Sequence, residues 1–477
     1  MILQSGKQTE RQIKAYMGGE WHMYDISAEF NKFYRNKVVL RSADQHKLRE
    51  KKKLNISRLK SGLQEYNEEK GTSYKICEER VQGSMAMHTV VQNDEKDYDI
   101  DVAIVFEKEN LGEMGARAAR NMVANALRRK TGQFAEEPEV KTSCVRVKYQ
   151  EGYHVDFAIY RRYRESGSGE YQYEHAGADW TKRGIRAVED WFRDETAVKG
   201  INLRKMVRLS KMFCRSRDTW VMPSGLLQTV LCDEQLREND RIDELFYDTM
   251  ERIVNRLETV LAVNAPVDNG RSLTSRDADL TRMRNWKNRL STQLEKLSIL
   301  FSDDCTYAQA LDAWSGFFQH DYWTSLAASA VTESCNLCKS QSYQDTEQFI
   351  ENMYPVDEQY DVVIDCQVIG QGIHLIPIQE FFHKFASAYG RYLPRNFKVK
   401  CSIRYTNTPA CDEVLWKVRN VGSKAEARDD IRGQIQSRGQ RIEETTIFEG
   451  PHYIECYLIK DGVCVAIGHV DVPIGLS

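Results

Sequence analysis

No stretch of this chain approaches the roughly 18 consecutive apolar residues that a membrane helix needs, so no membrane association is expected. The opening, "MILQSGKQTERQ", lacks a basic stretch followed by an apolar block, so no secretory signal is expected and the chain reads as cytoplasmic. There is no surplus of positive charge either. The 67 Lys and Arg against 70 Asp and Glu leave −3, which argues against a binder of duplex DNA but leaves room for local basic pockets. "CNLC", with Cys335 and Cys338, has zinc-ligand spacing, yet no second CxxC or histidine pair lies near enough to complete a tetrahedral site. Two ordinary helical thiols are the simpler reading. With no export route in view, the 12 cysteines are expected to stay reduced. Internal repeats and low-complexity tracts are absent.

What is present is ordinary globular material: 477 residues, 41% hydrophobic and 29% charged, enough for two or three domains with cores. An amphipathic segment, "DISAEFNKFYRNKV", precedes "SADQHKLREKKKLNISRLKSGLQEYNEEKG". In the latter, Leu48, Leu54, Ile56, Leu59 and Leu63 recur at helical spacing. Ser42 or Asp44 is the expected cap and Gly71 the expected stop of a long helix. Strands follow: "DIDVAIVF", then "SCVRVKY" and "YHVDFAIYRRY" joined as a hairpin at Glu151-Gly152, with the helix former "GARAARNMVANALRRK" between. "SGSGEYQYEHAGADW" breaks the regularity, and helices are expected from about Arg186 to Met353. Beyond Tyr354 the chain turns strand-rich. Phe397, Val399, Cys401, Ile403 and Tyr405 alternate with polar residues, and "HYIECYLIKDGVCVAIGHV" carries an Asp461-Gly462 hairpin signal.

Chemistry concentrates in "GSMAMHTVVQNDEKDYDIDVAIVF", Gly83 to Phe106. Residues two apart in a strand share a face, so Asp99 and Asp101 project together, with Ala103 and Val105 continuing that face. Two carboxylates this close repel and resist desolvation unless cations neutralise them. Mg²⁺, which binds through one or two carboxylates, waters and substrate phosphates, suits the task. Two such ions about 3.5–4 Å apart would activate a hydroxyl and stabilise a leaving pyrophosphate. Asp156 interrupts the apolar run "YHVDFAIY", where an unpaired charge is expensive, and is expected to be a metal ligand or a base. Gly83 lets backbone approach a phosphate closely, and Ser84 adds a hydroxyl. For Asp99 alone, "NDEKDYD" also reads as a solvated loop. Asp101 and Asp156, inside apolar strands, do not read that way.

Gly83-Ser84, then Asp99-x-Asp101, then Asp156 on a later strand resembles the DNA polymerase β-like nucleotidyltransferase superfamily. "LRKMVRLSKMFCRSRDTWVMPSGLLQTVL" resembles the element shared by oligoadenylate synthases, cyclic GMP-AMP synthase and the bacterial cGAS/DncV-like nucleotidyltransferases, so that the likeness covers about residues 20–350. It implies an α+β fold: a polymerase β-like core of mixed sheet and helices with a long N-terminal spine helix, plus a helical lobe. Catalytic and metal-binding roles fall to Asp99, Asp101 and Asp156, and phosphate binding to Gly83, Ser84, Lys211 and Ser224. Arg204, Arg208, Lys211 and Arg215 form a basic stripe opposite Leu203, Met206, Val207 and Phe213. Trp180 and Arg208 are candidates for base or acceptor contacts, a core tryptophan and a solvated basic face being the alternatives.

The resemblance further implies ATP, GTP or other NTPs as substrates, two Mg²⁺ per site with Mn²⁺ able to substitute, and a cyclic di- or trinucleotide product in anti-phage (CBASS) signalling. Transfer to RNA, protein or a small molecule stays open, as does a nucleotide-sensing module without catalysis. "WKVRNVGSKAEARDDIRGQI" and "EETTIFEGPHYIECYLIKDG" resemble the adenylyl/guanylyl cyclase and SMODS C-terminal sensor domain. Its polar and aromatic signature is matched by Trp416, Arg419, Asn420, Arg432, Gly433 and His452. Arg432 and Trp416 are the candidate contacts for a regulatory ligand, although Trp416 alternates with Val414 and Val418 as a core residue would. The "PIGLS" end is a candidate tail for a conjugating partner. The expected domains are a core at 1–185, a helical lobe at 186–353 and a separate strand-rich α+β sensor-like domain at 354–477.

Overall fold

The computed structural model describes residues 22–132, 136–165, 169–333, 347–421, 425 and 432–475. Cys335 and Cys338 lie outside the described residues. The fold is α+β, and the chain divides into two compact units, Met1–Val39 with Asp194–Ser340 and Leu40–Arg193 with Gln341–Ser477.

The long helix expected from sequence runs Ser42–Lys70 and stops at Gly71, which takes the left-handed conformation at φ 65°. Its start differs from expectation. The N-cap is Arg41, without a side-chain cap bond, because Asp44 is drawn into an ion pair with Arg41 and accepts a hydrogen bond from Tyr153. Leu48, Ile56, Leu59 and Leu63 are buried, whereas Leu54 faces out. The helix packs on a second one, Ala116–Arg128, so closely that a Cβ at Gly62 would collide with the carbonyl of Ala126.

Beneath these helices lies a seven-stranded mixed sheet: β1 (Ile76–Gln82), β2 (Asp99–Glu107), β3 (Glu139–Val140), β4 (Val145–Lys148), β5 (His154–Arg164), β6 (Tyr171–Ala176) and β7 (Trp180–Lys182). The order is β1-β2-β5-β4-β3, with β6 on β5 and β7 on β6, and only β2 and β5 run parallel. Gly152, at φ 94°, turns β4 into β5 as expected. The irregularity read in "SGSGEYQYEHAGADW" is largely sheet, because β5 supplies a partner along Tyr160–Arg164. On β2, Ile100, Val102, Ile104 and Phe106 join the core under the two helices, and the opposite face carries Asp99 and Asp101 followed by Ala103 and Val105 against Tyr160 and Ile185.

The helical unit packs around aromatic rings. Phe30 lies 4.6 Å from Trp314 and 5.3 Å from Trp323, so 22–39 anchor this unit through Phe30 and Phe33 rather than lying on the sheet. A short hairpin, β8 (Asn264–Ala265) and β9 (Asp268–Ser272), occupies the break expected at "NAPVDNGRS".

The C-terminal region is a sandwich of two antiparallel sheets. One has order β11-β10-β12-β15: β10 (Val362–Gly370), β11 (Ile373–Pro377), β12 (Lys398–Thr406) and β15 (Arg441–Thr445). The other is β14-β13-β16-β17: β13 (Glu413–Arg419), β14 (Ile435–Ser437), β16 (Gly450–Lys460) and β17 (Val463–Ile474). Asp461 and Gly462 both take positive φ, the turn that an Asp-Gly hairpin favours. Val399 and Cys401 are buried as their alternation predicts, but Tyr405 is 55% exposed. A register shift inserts Arg404 between Tyr405 and Ile403, and one extra residue flips everything beyond it.

Candidate active site

Gly83 carries the geometry of the site. At φ 64° it takes a conformation that L-residues avoid, and a Cβ there would stand well inside van der Waals contact with Asp101 Oδ2. Only glycine lets this turn sit directly on the second aspartate. Gln82 is the register partner of Asp101 across β1 and β2, and Asp101 is in turn the register partner of Asp156 across the parallel pair β2 and β5. Asp99, Asp101 and Asp156 therefore gather at one end of adjacent strands, beneath the short helix Gly83–Ala86 that includes Ser84.

The charges are crowded. Burial, followed by the charges of Asp99, Asp156 and Glu189, raises the Asp101 carboxyl well above the usual carboxylate range. Glu189 is a fourth acid that sequence reasoning missed. It sits in the first turn of the helix Ala187–Lys199, burial raises its pKa, and it accepts the Gly83 N–H at 2.8 Å. The Gly83 amide, expected to face a phosphate, faces this carboxylate instead.

Asp156 also departs from expectation. Arg146, its partner across β4 and β5, donates from Nε at 2.7 Å and from Nη2 at 2.6 Å to the two carboxylate oxygens. The bond to Asp156 raises the Arg146 pKa, and burial pushes the neighbouring Cys144 thiol, 3.6 Å from Asp156 Oδ2, up to about 12. Among the described residues no set of three His, Cys, Asp or Glu side chains is arranged to hold a metal ion. The expected three-aspartate ligand set is thus not assembled here, because a guanidinium occupies the third carboxylate. Asp99 and Asp101 do fit Mg²⁺: they are hard oxygen donors on one strand face, with excess negative charge and a glycine turn that leaves phosphate close access.

In the helical unit, Lys211 on the helix Ile201–Arg215 lies against Gly225, the first residue of the helix Gly225–Gln235, so close that a Cβ on Gly225 would stand 3.3 Å from Nζ. Ser224 is the N-cap of that helix and is exposed, so the structure brings Lys211 and Ser224 together. Of the rest of the basic stripe, only Arg215 is exposed. Arg204 and Arg208 are buried, and Arg208 Nη1 donates to Tyr34 Oη at 2.7 Å, which removes Arg208 from the candidates for base or acceptor contact. Trp180 is also corrected. Its N–H donates to the Met114 carbonyl at 2.9 Å and the Arg161 guanidinium covers its ring at 4.5 Å, so it packs rather than waiting for a base.

In the C-terminal sandwich, Trp416 is 1% exposed and its N–H donates to the Gly439 carbonyl at 2.7 Å. It is core, not a ligand contact. Arg432 is bound to Glu444 at 3.1 Å and lines a small cavity of about 50 Å³ with Asn420, His452 and Phe448.

The fold and these carboxylates mark the chain as a nucleotidyltransferase. Residues 78–160, from before the glycine turn to beyond Asp156, match the family described as cyclic GMP-AMP synthase DncV-like, nucleotidyltransferase domain. Residues 344–475 match the Adenylyl/Guanylyl and SMODS C-terminal sensor domain. In both matched regions the chain is similar to the cGAS/DncV-like nucleotidyltransferases of the SMODS type. It is 23% identical over 407 residues to a cyclic GMP-AMP synthase of Escherichia albertii, covering 82% of this chain and 83% of that one. Its fold resembles the di-nucleotide cyclase DncV of Vibrio cholerae in a mutant complex with ATP, GTP and 5MTHFGLU2, at TM-score 0.52 and 15% identity, over 64% of this chain and 99% of that one. The same enzyme with the linear intermediate 5′ pppA(3′,5′)pG matches at TM-score 0.51 and 16% identity, over 63% and 96%. Among the described residues no helix is long and apolar enough to cross a membrane.

Proposed function

We propose that this enzyme condenses nucleoside triphosphates, ATP and GTP among them, into a cyclic di- or trinucleotide with release of pyrophosphate. In each transfer a ribose hydroxyl oxygen bonds to the α-phosphorus of a donor triphosphate, and the bond from that phosphorus to the pyrophosphate oxygen breaks. Mg²⁺, or Mn²⁺ in its place, would neutralise the phosphates and the leaving pyrophosphate. Asp99 and Asp101 would hold the ions. Asp156, released from Arg146, joins them and accepts the hydroxyl proton. Gly83 and Ser84 lie along the donor phosphates, and in the helical unit Lys211 with Ser224 at a helix start is a further phosphate-binding pair. The related cyclic GMP-AMP synthase favours a cyclic product over transfer to RNA or protein. A role in bacterial anti-phage signalling from the cytoplasm follows, with the C-terminal domain, around Arg432 and its cavity, as the place for a regulatory ligand or conjugating partner.

The observation that carries this reading is the Gly83 turn seated on Asp101, with Asp99 beside it and Asp156 on the next strand. The test is mass spectrometry of products from all four NTPs with Mg²⁺ or Mn²⁺, then from each alone. A phosphatase-resistant cyclic nucleotide that vanishes in Asp99→Ala/Asp101→Ala is expected. A linear product, or a modified RNA or protein, would replace the cyclic reading.

A further inference from the structure

We propose that Asp357, in the C-terminal domain, is a positioning residue for the Gly83 turn of the catalytic core. This rests on the proposed reading of that turn as the phosphate-binding element, and it names the path by which the C-terminal domain reaches it.

Asp357 takes two cations at once. Arg80 Nη1 donates to its two oxygens at 3.0 and 2.9 Å, and Arg186 Nη2 lies 3.1 Å from Oδ2. Each cation leads to the turn. Arg80 is on β1, three residues before Gly83. Arg186 directly follows Ile185, whose carbonyl accepts from the Gln82 side chain at 2.5 Å, and precedes by three residues Glu189, which accepts the Gly83 N–H. Gln82 and Gly83 are thus tied to Ile185 and Glu189, and the same two segments are tied a few residues further out by one carboxylate. A ring of charge-assisted bonds closes on Asp357. Without it, Arg80 would keep Glu78 at 3.0 Å and Arg186 would keep Asp190 at 3.8 Å, but no shared carboxylate would join the two guanidinium groups.

Asp357 is itself held by the sandwich. Its N–H donates to the Cys464 carbonyl at 2.9 Å, the Cys464 N–H donates to the Pro355 carbonyl at 2.8 Å, and Val356 bridges Cys464 in parallel. Any movement of β17 therefore moves the carboxylate. The next acids along the chain lead elsewhere: Glu358 pairs with Arg49 at 2.7 Å and Asp361 with Lys53 at 2.6 Å, both on the spine helix. The docking of the C-terminal domain is thus divided between a scaffold contact and a contact aimed at the active site.

The experiment compares Asp357→Asn with Asp361→Asn in the full-length chain. Hydrogen exchange is expected to quicken about tenfold over residues 80–87 in Asp357→Asn and to stay at the wild-type rate there in Asp361→Asn. In turnover assays the KM for NTP should rise about tenfold in Asp357→Asn with kcat within about twofold, the signature of lost positioning of a bound group. If Asp357→Asn unfolds the chain, Arg186→Gln, which removes one arm only, is read in the same way. Unchanged exchange at 80–87, or equal acceleration in both variants, would overturn the proposal. A wild-type chain that makes no product would sink the functional reading while leaving the exchange result to decide this one.

Discussion

Arg146 grips both oxygens of Asp156 from the neighbouring strand, so the third acid of the site is neutralised by the protein's own cation. This pair sets the first expectation. Asp156 is 5% exposed, and removing one partner of a buried pair strands the other at a cost of about 3 kcal/mol. Arg146→Met should therefore melt earlier than wild type in chelator. Millimolar Mg²⁺ should restore most of the difference, because an ion binding only the folded state stabilises it by mass action. Calorimetry with and without Mg²⁺ checks this. Equal Mg²⁺ shifts in both proteins would mean that Arg146 and the metal do not compete.

Gly83 makes a sharper claim, and Gly112 supplies its control. Both have positive φ, at 64° and 56°, but a Cβ at Gly112 meets nothing within 4 Å while one at Gly83 runs into Asp101. Gly112→Ala should cost only the backbone penalty of its glycine-favouring conformation, φ 56° and ψ −135°, about 1–3 kcal/mol, and keep full turnover. Gly83→Ala should cost that and also displace the Asp101 carboxylate, lowering kcat/KM by about 100-fold. Thermal melts and initial rates on the two variants separate the effects.

The strand, the paired aspartates and the glycine turn were readable because each is a local pattern. Arg146 was readable in principle too. A turn at Gly152 places residue 146 opposite 156, and counting outward from it would have shown the salt link. Glu189 was not readable. It reaches Gly83 across 106 residues of sequence, and nothing in "RAVEDWF" sets it apart from a solvated first-turn acid. Arg208 failed for another reason: helical periodicity assigns a face, but it does not say whether a second helix or a tyrosine covers that face.

Lys211 and Arg208, three residues apart on one helix, should then behave oppositely. Lys211 lies by the start of the next helix, beside Ser224, whereas Arg208 is buried against Tyr34. Lys211→Ala is expected to raise the KM for NTP about tenfold with little loss of stability, as removal of one phosphate-binding cation would. Arg208→Met should leave KM alone and lower the unfolding free energy by about 2 kcal/mol through the orphaned Tyr34 hydroxyl and lost packing. Reversed outcomes would return Arg208 to the substrate site.

In the C-terminal domain the alternation read from sequence located Trp416 and the strands, but a one-residue bulge at Arg404 and the buried charges escaped it. His469 is the most consequential of those charges. Its ring bonds Asp471 at 3.0 Å, lies 3.6 Å from Glu455, shares a hydrogen bond with Ser42 at 3.1 Å, and packs at a tilt against His46 and Tyr453. Burial alone would lower its pKa, but the bonds to Asp471 and Glu455 outweigh that and raise it to about 9. The neighbouring His46 is lowered, by burial first, so the pair carries its positive charge on His469. A histidine raised above its unfolded value of about 6.5 stabilises the fold fully below that pH and loses the contribution as pH climbs through 9. Wild type should therefore exceed His469→Gln by about 2–3 kcal/mol at pH 6, with the gap closing by about pH 10. Chemical denaturation across that range measures it. Since Ser42 begins the spine helix and also donates to Glu455, loss of the charge should loosen the seat of the C-terminal domain on that helix. In hydrogen exchange this would appear first at residues 42–49, and a gap between the two proteins that stays constant with pH would show that His469 is held by packing rather than by its charge.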